Sequence, residues 1–455
     1  MQSQFEKMNS FFLSHETRSK TFRHQQLDQL EKLIKENSTA ITESLYKDLH
    51  KPELEALMSE MGIVLEEINL TKKELNNWMK PKSVSTPVSL WPAKSQIIYE
   101  PKGVVLIVGP WNYPFQLLMS PLVGAIAAGN CAVLKPSEMT VHTSKLVIDL
   151  VKKYFEPNYI TAVDGGINET TQLLKLPWNH LFFTGSAPVG KIIMKAAAEH
   201  LTPVTLELGG KSPAIINQDA DIAVAGKRLV WGKFYNAGQT CVAPDYIYVH
   251  KSVRQKLIDQ MIVEIKNQFG PDCQQSLSYG RIINAKNLDR LKKLISKDKI
   301  IYGGDINEAD LFISPTLVQI TDWSDPIMQE EIFGPILPII EFDDLNSVFS
   351  LINKKQTPLA AYLFSNSEKI QNQFLDQVSF GGGCINDVVL HLGNPHLPFG
   401  GSQQSGHGSY HGHYSFLTFS HQKSVLQKSV YLDLPIRYPP YTEKKLKMVR
   451  RFLGI

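Results

Sequence analysis

A cysteine in an uncharged turn has the clearest potential for chemistry in this sequence. It stands in the run FYNAGQTCVAP (234–244), after a predicted helix, where Gly238 frees the backbone and lets the Cys241 side chain stand clear of a sheet. The nearest cationic residue before it is Lys233, so activation of the thiol must come from elsewhere in the fold. Cys241 is a candidate nucleophile; the alternative is a small buried cysteine without a chemical role.

A carboxylate beside two glycines is the second candidate. Glu207 lies in TLELGGK (205–211), among apolar residues at the end of a predicted strand. Burial would raise its pKa towards that of a general base working near neutral pH. The alternative is a partly exposed Glu207 that pairs with Lys211.

An amide directly after a buried strand is the third candidate for a chemical role. Asn112 stands in PWNYP (110–114), behind the apolar run GVVLIVG (103–109). Ligands of open α/β sheets bind at the carboxyl ends of strands, and an uncharged amide there can donate to a developing oxyanion. The alternative is an Asx-type turn between two prolines.

Two further segments have the character of a nucleotide site. Lys135 and Glu138 follow a predicted strand in LKPSE (134–138), where a Rossmann-like unit binds a ribose; a surface salt bridge is the alternative. Gly185 and Ser186 open a predicted helix, whose N-terminus could face a pyrophosphate. This second segment is not a phosphate loop, because Ile occupies position 192 where that motif has Ser or Thr.

An acidic pair before an aromatic residue completes the set. In MQEEIFGP (328–335), Glu331 and Phe333 could present a carboxylate and a ring together. The alternative is a simple turn after a helix.

Alternating strands and helices must position these residues. This alternation is typical of a parallel sheet with both faces covered, and a break near 204–210 divides it into two α/β domains. The first 80 residues are predicted to be helical, and residues 82–101 to form a hairpin or an extended arm. Predicted strands cover 103–109, 131–136, 159–165, 180–185, 212–217, 246–250, 336–341 and 360–364; predicted helices cover 116–128, 141–154, 168–175, 187–200, 221–235 and 253–268, and a Gly-rich loop covers 380–387.

Composition narrows the class of protein. The chain has 455 residues, of which 43% are hydrophobic, and 47 Lys and Arg against 44 Asp and Glu give a net charge of +3. Disorder is excluded for the bulk of the chain, and no nucleic-acid partner is indicated. Four cysteines make no disulfide framework, and no secretory signal precedes them, so we expect a cytoplasmic protein. Several histidines cluster at 391–421, but no Asp or Glu occurs from 388 to 432, so no metal site is expected.

Two segments raise the question of a membrane. Residues 103–134 carry no charge, and a stretch of this length could cross a bilayer. Its prolines and asparagines favour instead a strand, a loop, a helix and a second strand. We therefore predict no transmembrane segment. The C-terminal YTEKKLKMVRRFLGI is basic and amphipathic. It could contact a membrane surface, or it could be a solvated tail or an arm that packs against the protein.

The motifs together resemble those of NAD(P)-dependent aldehyde dehydrogenases. The resemblance covers about 27–423, and the short N-terminus with YHGHYSF (410–416) is similar to the class 3 branch, which includes medium-chain, aromatic and fatty aldehyde dehydrogenases. One departure is GGSQQSG (400–406), because the family usually has GGxGxSGxG; substrate preference is therefore left open. The motifs are PWNYPFQL, GAIAAGN, LKPSE, FFTGS, LELGGKSP, NAGQTCVAP, QEEIFGP and YHGHYSF.

The resemblance implies a fold and a division of the chain. It implies a Rossmann-like cofactor domain (1–81 and 102–206), an α/β catalytic domain (207–395) and a small β oligomerisation arm (82–101 and 396–455). It also implies a homodimer that oxidises an aldehyde, of medium or long chain, aromatic or terpenoid type, with NAD as the cofactor and NADP possible.

The resemblance also implies roles for the candidate residues. Cys241 would be the nucleophile, Glu207 the general base, and Asn112 would form the oxyanion hole with the backbone N–H of Cys241. The adenosine ribose would be held by Lys135 and Glu138, the pyrophosphate would lie by Gly185 and Ser186, and the nicotinamide ribose by Glu331, with Phe333 beside it.

Three other functions compete with this one. A related fold could pass the acyl group to coenzyme A or reduce an acyl phosphate, but a base that recruits water would waste the thioester. A binding protein that has lost catalysis would be expected to lack Cys241 or Glu207, and both are present. A cysteine hydrolase needs a Cys–His pair, and the histidines cluster far along the chain from Cys241.

Overall fold

Helices and strands alternate along most of the chain in the computed structural model, which describes residues 1–455. The helices are α1 Gln2–Leu13, α2 Lys20–Glu36, α3 Ser38–Leu49, α4 Glu53–Ala56, α5 Ile63–Trp78, α6 Gln116–Ala128, α7 Val141–Tyr154, α8 Ile167–Leu173, α9 Ala187–Ala198, α10 Ile222–Phe234, α11 Arg254–Phe269, α12 Ala285–Lys292, α13 Leu345–Asn353, α14 Glu368–Gln377, α15 Gly412–Thr418 and α16 Glu443–Leu453. The strands are β1 Lys82–Val84, β2 Ala93–Pro101, β3 Val104–Val108, β4 Cys131–Lys135, β5 Ile160–Ala162, β6 His180–Gly185, β7 Val204–Leu208, β8 Pro213–Ile216, β9 Tyr246–His250, β10 Ile300–Tyr302, β11 Ile306–Asn307, β12 Phe312–Ile313, β13 Thr316–Gln319, β14 Ile336–Phe342, β15 Ala360–Phe364, β16 Gly382–Ile385, β17 Gly406–His407 and β18 Ser420–Lys428.

A six-stranded sheet of order β17-β7-β6-β3-β4-β5 is built by the first half of the chain. Its strands run parallel except β17, which pairs antiparallel with β7. Every residue of β3 and β4 is buried, because helices cover both faces. The chain adds β4 and β5 on one side of β3 and then β6 and β7 on the other. The order therefore reverses between β3 and β6, and such a switch point is where open α/β sheets bind ligands.

The uncharged stretch 103–134 forms β3, a loop, α6 and β4, as predicted. All residues of α6 are buried, which accounts for its lack of charge. At Gly124 a Cβ would lie 2.6 Å from Cβ of Ser415, so a glycine is needed for α15 to pack against α6. No helix of the structure has the length and apolar character needed to cross a membrane.

A seven-stranded sheet of order β10-β13-β14-β9-β8-β15-β16 follows. It is parallel apart from the short edge strand β10. The prediction of a loop at 380–387 is wrong, because Gly382–Ile385 pairs with Ala360–Leu363 as the edge strand β16. A Cβ at Gly383 would lie 2.2 Å from the carbonyl oxygen of Ala361. The glycines that suggested a loop thus let β16 approach β15 closely.

Strands β11 and β12 pair with each other as a two-stranded sheet, and β1, β2 and β18 belong to a separate unit of Met79–Glu100 and Gln422–Ile455. The predicted hairpin is confirmed: β1 pairs antiparallel with β2, and β18 completes a three-stranded sheet of order β1-β2-β18. Residues 396–421, which the sequence assigned to the arm, lie instead in the larger unit of Met1–Trp78 and Pro101–His421. They do so because β17 pairs with β7 and the short helix α15 contacts α5 and α6.

Candidate functional site

The carboxyl ends of four neighbouring strands carry four of the candidate residues. Asn112 follows β3, Lys135 ends β4, Gly185 ends β6 and Glu207 is the fourth residue of β7. Thr184 of β6 is the register partner of Glu207. Because these strands are parallel, their carboxyl ends meet at one edge of the sheet, on both sides of the switch point.

A cavity of about 590 Å³ lies at this edge, and we call it the polar cavity. Predicted residues from five segments of the chain meet in its lining. The ring of Phe333 packs edge-on against Trp111, with ring centroids 5.3 Å apart. The lining includes Trp111, Asn112, Gly185, Ser186, Glu207, Cys241, Glu331, Phe333 and Gln404.

A glycine pair positions Glu331 in the polar cavity. A Cβ at Gly209 would lie 2.0 Å from Oε2 of Glu331, so only glycine allows this approach. The backbone N–H of Gly210 donates to the carboxylate, but burial and nearby Asp245 raise the pKa of Glu331 to about 8. The carboxyl group can therefore exchange hydrogen bonds with hydroxyl groups of a bound molecule.

The start of α9 gives the polar cavity an anion-binding character. Ser186 is the N-cap residue, and Pro188 lies in the first turn of this 12-residue helix. Exposed N–H groups at a helix N-terminus attract phosphate. The residues present fit a dinucleotide. Gly185 and Ser186 suit its diphosphate, and Glu331 and Phe333, elsewhere in the lining, suit a ribose and a ring.

Lys135 and Glu138 are placed apart from these residues. Neither lines the polar cavity. Lys135 is buried, and its Nζ donates to the carbonyl oxygen of Pro136 at 2.7 Å. Burial lowers the pKa of Lys135, and the charges of Glu138, Asp164 and Glu169 act in the opposite direction. Glu138 itself is exposed.

A second cavity, the apolar channel, meets the polar cavity at the candidate catalytic residues. Its volume is about 380 Å³, and Glu207 and Cys241 line both spaces. Hydrophobic side chains form most of its wall. They include Met58, Ile63, Leu117, Trp231, Leu359, Val389, Leu392 and Phe399.

A strained turn presents Cys241 at this junction. After α10 ends, three consecutive residues have left-handed backbone conformations: Asn236 (φ 52°), Ala237 (φ 51°) and Gly238 (φ 73°). For Ala237 such a conformation costs of the order of 1–3 kcal/mol. At Gly238 a Cβ would lie 2.4 Å from the carbonyl oxygen of Gly334, so this position requires glycine.

The thiol of Cys241 is held protonated by its surroundings. Burial, with the negative charges of Glu331 and Glu207, raises its pKa to about 12, while the backbone N–H groups of Cys241 and Val242 act in the opposite direction. No cationic side chain is among the groups that shift this pKa. The thiol therefore needs a base or a bound cation before it can act as a thiolate.

Glu207 is a buried carboxyl group without a protein donor. It is 3% exposed, and neither of its oxygens accepts a hydrogen bond from the protein. Burial raises its pKa well above the ordinary value. The alternative pairing with Lys211 does not occur, because Lys211 pairs with Asp245 and donates to backbone carbonyls. A carboxyl group with free oxygens and a raised pKa has the properties of a general base.

Asn112 has one amide hydrogen free for a ligand. Its Nδ2 donates to the carbonyl oxygen of Gln239 at 3.0 Å, which uses one of two N–H bonds. The side chain is buried and lines the polar cavity beside Cys241. The amide is thus oriented by the loop that carries the thiol.

A buried polar network that the sequence analysis missed connects the two loops. Lys51 forms an ion pair with Glu60 and donates to the carbonyl oxygen of Asn112 at 3.0 Å. Glu60, in a π-helical turn, accepts the backbone N–H groups of Phe115 and Gln116 at 3.1 and 2.9 Å. Glu60, a charge within an apolar helical pattern, was the only signal of this network in the sequence, because Lys51 lies outside the helices.

The side chains after the strained turn extend the network. Asn236 donates to the carbonyl oxygen of Asn112 at 2.9 Å, and Gln239 bonds to Asn236, Arg281 and Ile283. Lys51, Glu60, Asn236 and Gln239 are all buried. These hydrogen bonds join the loops of Asn112 and Cys241, and Oδ1 of Asn236 is the one atom of the four side chains that is buried without a partner.

The clustered histidines offer no competing centre. Cys384 approaches His391 with Sγ 3.7 Å from Nδ1, but burial lowers the pKa of His391 to about 4 and raises that of Cys384. The pair is therefore neutral near pH 7, unlike the ion pair of a cysteine hydrolase. No group of three or more His, Cys, Asp or Glu side chains is arranged to hold a metal ion.

Sequence comparisons identify the relatives of this chain. The sequence model of the aldehyde dehydrogenase family matches residues 2–425. A 4,4'-diaponeurosporen-aldehyde dehydrogenase of Staphylococcus aureus is 47% identical over 454 residues, which are 99% of each protein. A dimeric NADP-preferring aldehyde dehydrogenase of Rattus norvegicus is 46% identical over 435 residues, 95% of this chain and 96% of the relative. Aldehyde dehydrogenase family 3 member B1 of Bos taurus is 43% identical over 446 residues, 98% of this chain and 95% of the relative. The predicted resemblance to the class 3 branch is confirmed.

Comparison with solved structures identifies the same family as the sequence comparisons. Staphylococcus aureus AldH in a substrate-bound state has a TM-score of 0.97 and 47% identity, over 99% of both chains. A Mycobacterium tuberculosis aldehyde dehydrogenase complexed with NAD+ has a TM-score of 0.81 and 27% identity, over 90% of this chain and 87% of that one. The predicted α/β fold is confirmed. This chain belongs to the aldehyde dehydrogenase family, and it is an oxidoreductase that uses NAD or NADP.

Proposed function

We propose that this enzyme oxidises apolar aldehydes to carboxylic acids through a thioester on Cys241. The observation that carries the proposal is that Cys241 and Glu207 line both the polar cavity and the apolar channel. A cofactor entering from one side and an aldehyde from the other would meet at the thiol. Of the competing functions, neither acyl transfer nor simple binding explains a base with free oxygens at the same junction.

Attack on the aldehyde requires removal of the thiol proton. Glu207 and Cys241 both have raised pKa values because both are buried, so proton transfer from Sγ to the carboxylate replaces one buried negative charge with another. The sulfur then bonds to the carbonyl carbon, and the carbonyl oxygen becomes an oxyanion in a thiohemiacetal. The free N–H of Asn112 and the backbone N–H of Cys241 donate to that oxygen.

Residues lining the polar cavity would hold NAD or NADP. Gly185 and Ser186 would bind the diphosphate at the start of α9, and Glu331 would accept hydrogen bonds from a ribose with Phe333 packed beside it. When bound, the nicotinamide accepts the hydride that leaves the thiohemiacetal carbon. We further propose that Lys135 and Glu138, which lie outside the cavity lining, hold the adenosine ribose.

Hydrolysis of the thioester returns the enzyme to its starting state. Glu207 first releases to solvent the proton that it took from Sγ. The carboxylate then takes a proton from water, the hydroxide oxygen bonds to the acyl carbon, and the bond between carbon and Sγ breaks. The Cys241 sulfur leaves as a thiolate and is reprotonated, and the carboxylic acid is the product. The same carboxyl group therefore serves both half-reactions.

The walls of the channel support an apolar substrate. Its lining is dominated by aliphatic and aromatic side chains, and such walls favour a hydrocarbon chain or ring over a charged aldehyde. The relative from Staphylococcus aureus is named for 4,4'-diaponeurosporen-aldehyde, which supports the terpenoid alternative beside medium-chain, long-chain and aromatic aldehydes.

We also propose a division of the chain and a homodimer. Most of the six-stranded sheet supports a cofactor domain of 1–81 and 102–206, and the seven-stranded sheet supports a catalytic domain of 207–395. In the arm, β18 is an edge strand of nine residues with no further neighbour, and edge strands favour pairing with another chain. Light scattering at micromolar concentration should give twice the chain mass; a monomer or a tetramer would contradict the dimer. The four cysteines are free thiols, which supports a cytoplasmic location.

One assay tests the proposed function. Purified protein is mixed with NAD or NADP and an apolar aldehyde, and absorbance of the reduced nicotinamide is followed with and without coenzyme A. We expect reduction that does not depend on coenzyme A. Cys241→Ser should abolish it while cofactor binding persists, because a hydroxyl group is a far weaker nucleophile than a thiolate. Turnover within tenfold of wild type in this variant would contradict the role of Cys241.

A further inference from the structure

The apolar channel continues into a third space at its outer end. A groove of about 810 Å³, which we call the outer groove, shares Met58, Trp231, Tyr235 and Leu390 with the channel. Neither Cys241 nor Glu207 lines this groove. It therefore lies beyond the reacting residues and is reached from them along the channel wall.

An aromatic pair and two exposed aliphatic side chains form the passage between the two spaces. The rings of Trp231 and Tyr235 lie with centroids 5.3 Å apart at the end of α10. Met58 is 58% exposed and Leu390 is 55% exposed. Apolar surface of this kind is unfavourable in water, and a hydrocarbon laid across the passage would cover it.

The backbone at the passage is strained. Val389 has φ 65°, which is an outlier for a β-branched residue, and it lines the channel next to Leu390. Residues held in such conformations cluster at ligand-binding sites, where the surrounding structure maintains them. The strain lies at the point where channel and groove meet.

The outer groove itself is suited to an uncharged chain. Leu54, Val224 and Phe269 line it together with the shared side chains, and Leu54 is 68% exposed. The buried carboxyl group of Glu55 has its pKa raised to about 8, so it is largely neutral at pH 7. Of the other charged side chains of the lining, Arg228 and Asp387 pair with each other at 3.6 Å, and Lys227 is exposed to solvent.

We propose that the outer groove is a second substrate subsite, which binds the distal part of a long hydrocarbon aldehyde while its carbonyl group lies at Cys241. The proposal rests on the proposed function and goes further, because it assigns chain-length selectivity to residues that do not contact the reacting atoms. A short aldehyde would fill only the channel, whereas a long one would gain the burial of its remaining methylene groups in the groove.

Chain-length selectivity tests the proposal. The ratio of kcat/KM for hexadecanal to that for hexanal is measured for wild type and for Leu54→Asp, which adds a charge that lines only the outer groove. We expect the ratio to fall at least tenfold and kcat/KM for hexanal to stay within twofold of wild type, because desolvating a carboxylate opposes binding of the long chain. Leu54→Met should keep the wild-type ratio. Val224→Asp, at the start of α10, is a second variant with the same expected result if Leu54→Asp does not fold.

A matched control and a binding measurement make the outcome decisive. Leu201→Asp makes the same chemical change at a residue that is 89% exposed and lines none of the three spaces, and it should leave the ratio unchanged. Binding of hexadecan-1-ol and hexan-1-ol, measured by calorimetry, should show the same selectivity without catalysis. An unchanged ratio in folded Leu54→Asp overturns the subsite. A change in oligomeric state with an unchanged ratio also overturns it and makes the groove a protein interface. Absence of oxidation of any aldehyde by wild type contradicts the proposed function, and the alcohol-binding result still decides the subsite.

Discussion

The amide nitrogen of Asn112 donates to the carbonyl oxygen of Gln239 across 3.0 Å, and this contact joins the loop after β3 to the loop that carries Cys241. The two loops adjoin strands of different sheets in the larger unit, because β3 belongs to the six-stranded sheet and β9 to the seven-stranded one. The hydrogen bond fixes the amide plane and leaves one N–H free beside the thiol. A donor that is already oriented stabilises a developing oxyanion without the cost of reorganising at the moment of reaction.

Asn112→Ala should lower kcat by roughly a hundred- to a thousandfold, the usual effect of losing one oxyanion donor. The fold should persist, because Lys51 and Asn236 contact the backbone carbonyl of residue 112 and not its side chain. Steady-state kinetics measure the loss, and calorimetric NAD binding serves as the control. A kcat within fivefold of wild type would mean that Asn112 does not contact the oxyanion.

Glu207→Gln should block hydrolysis of the thioester. An amide cannot take a proton from water, so once another base has formed the thiolate, the acyl group should accumulate on Cys241 and be found by mass spectrometry of the intact protein after one turnover. The size of an initial burst of reduced cofactor reports whether another base can form the thiolate. Unimpaired steady-state turnover would refute the role of Glu207.

The pH dependence of the same step is a separate test. Burial raises the pKa of Glu207 well above its usual value, so the protonated, inactive form persists to higher pH than for an exposed carboxyl group. Wild-type hydrolysis should therefore rise with pH as this proton is lost. In Glu207→Gln this rise of the hydrolysis rate with pH should disappear. An unchanged rise would assign the titration to another group.

The buried ion pair of Lys51 and Glu60 should be important for stability. Lys51→Met leaves the Glu60 carboxylate buried without its partner, which should lower the free energy of unfolding by about 3–5 kcal/mol. Lys51→Met combined with Glu60→Gln should recover part of the loss, because an amide oxygen can still accept from the N–H groups of Phe115 and Gln116. Denaturant unfolding measures both.

An exposed ion pair provides the matched control for that experiment. Lys32 and Glu36 lie 3.9 Å apart on α2 with side chains more than half exposed. Lys32→Met should cost less than about 1 kcal/mol. Equal losses for the two lysines would show that the buried network does not fix the loops.

Sequence reasoning located the elements that repeat a simple pattern. The bounds of α6 and α7 agree with the predictions at both ends, because their apolar positions have helical spacing and their ends are marked by glycine or by a change in pattern. The ends of the strands that position Asn112, Gly185 and Glu207 were predicted from the sequence pattern in the same way. Parallel pairing then brings these residues together without any further information.

Contacts between distant segments could not be predicted in this way. Lys51 lies in the short connection between α3 and α4, and Glu60 lies in the π-helical turn before α5. Only the fold reveals that both are buried beneath Asn112. Gly382–Ile385 was missed as a strand, because glycine there serves a close approach of two backbones. The residue pattern and the resemblance both identified Glu331 and Phe333, but only the fold shows that the Glu331 carboxylate packs closely against Gly209.

We expect cofactor preference to depend on the charges around Lys135. Glu138 is exposed and follows β4, where it could accept a hydrogen bond from a 2′-hydroxyl group and repel a 2′-phosphate. Asp164 and Glu169 also act on Lys135, so removing one carboxylate should change the preference only in part. The lysine itself offsets some of this repulsion. We therefore expect NAD to be preferred, with measurable use of NADP.

Glu138→Gln should raise kcat/KM for NADP relative to NAD by a factor of about ten, which is about 1.4 kcal/mol. Glutamine keeps the length of the side chain and its acceptor oxygen but removes the charge that repels the phosphate. Kinetics with both cofactors at a fixed aldehyde concentration measure the ratio, and Glu199→Gln, an equally exposed change at the end of α9, should leave it unchanged. If the ratio of the Glu138 variant equals that of wild type, Glu138 does not face the ribose and the proposed position of the adenosine is wrong.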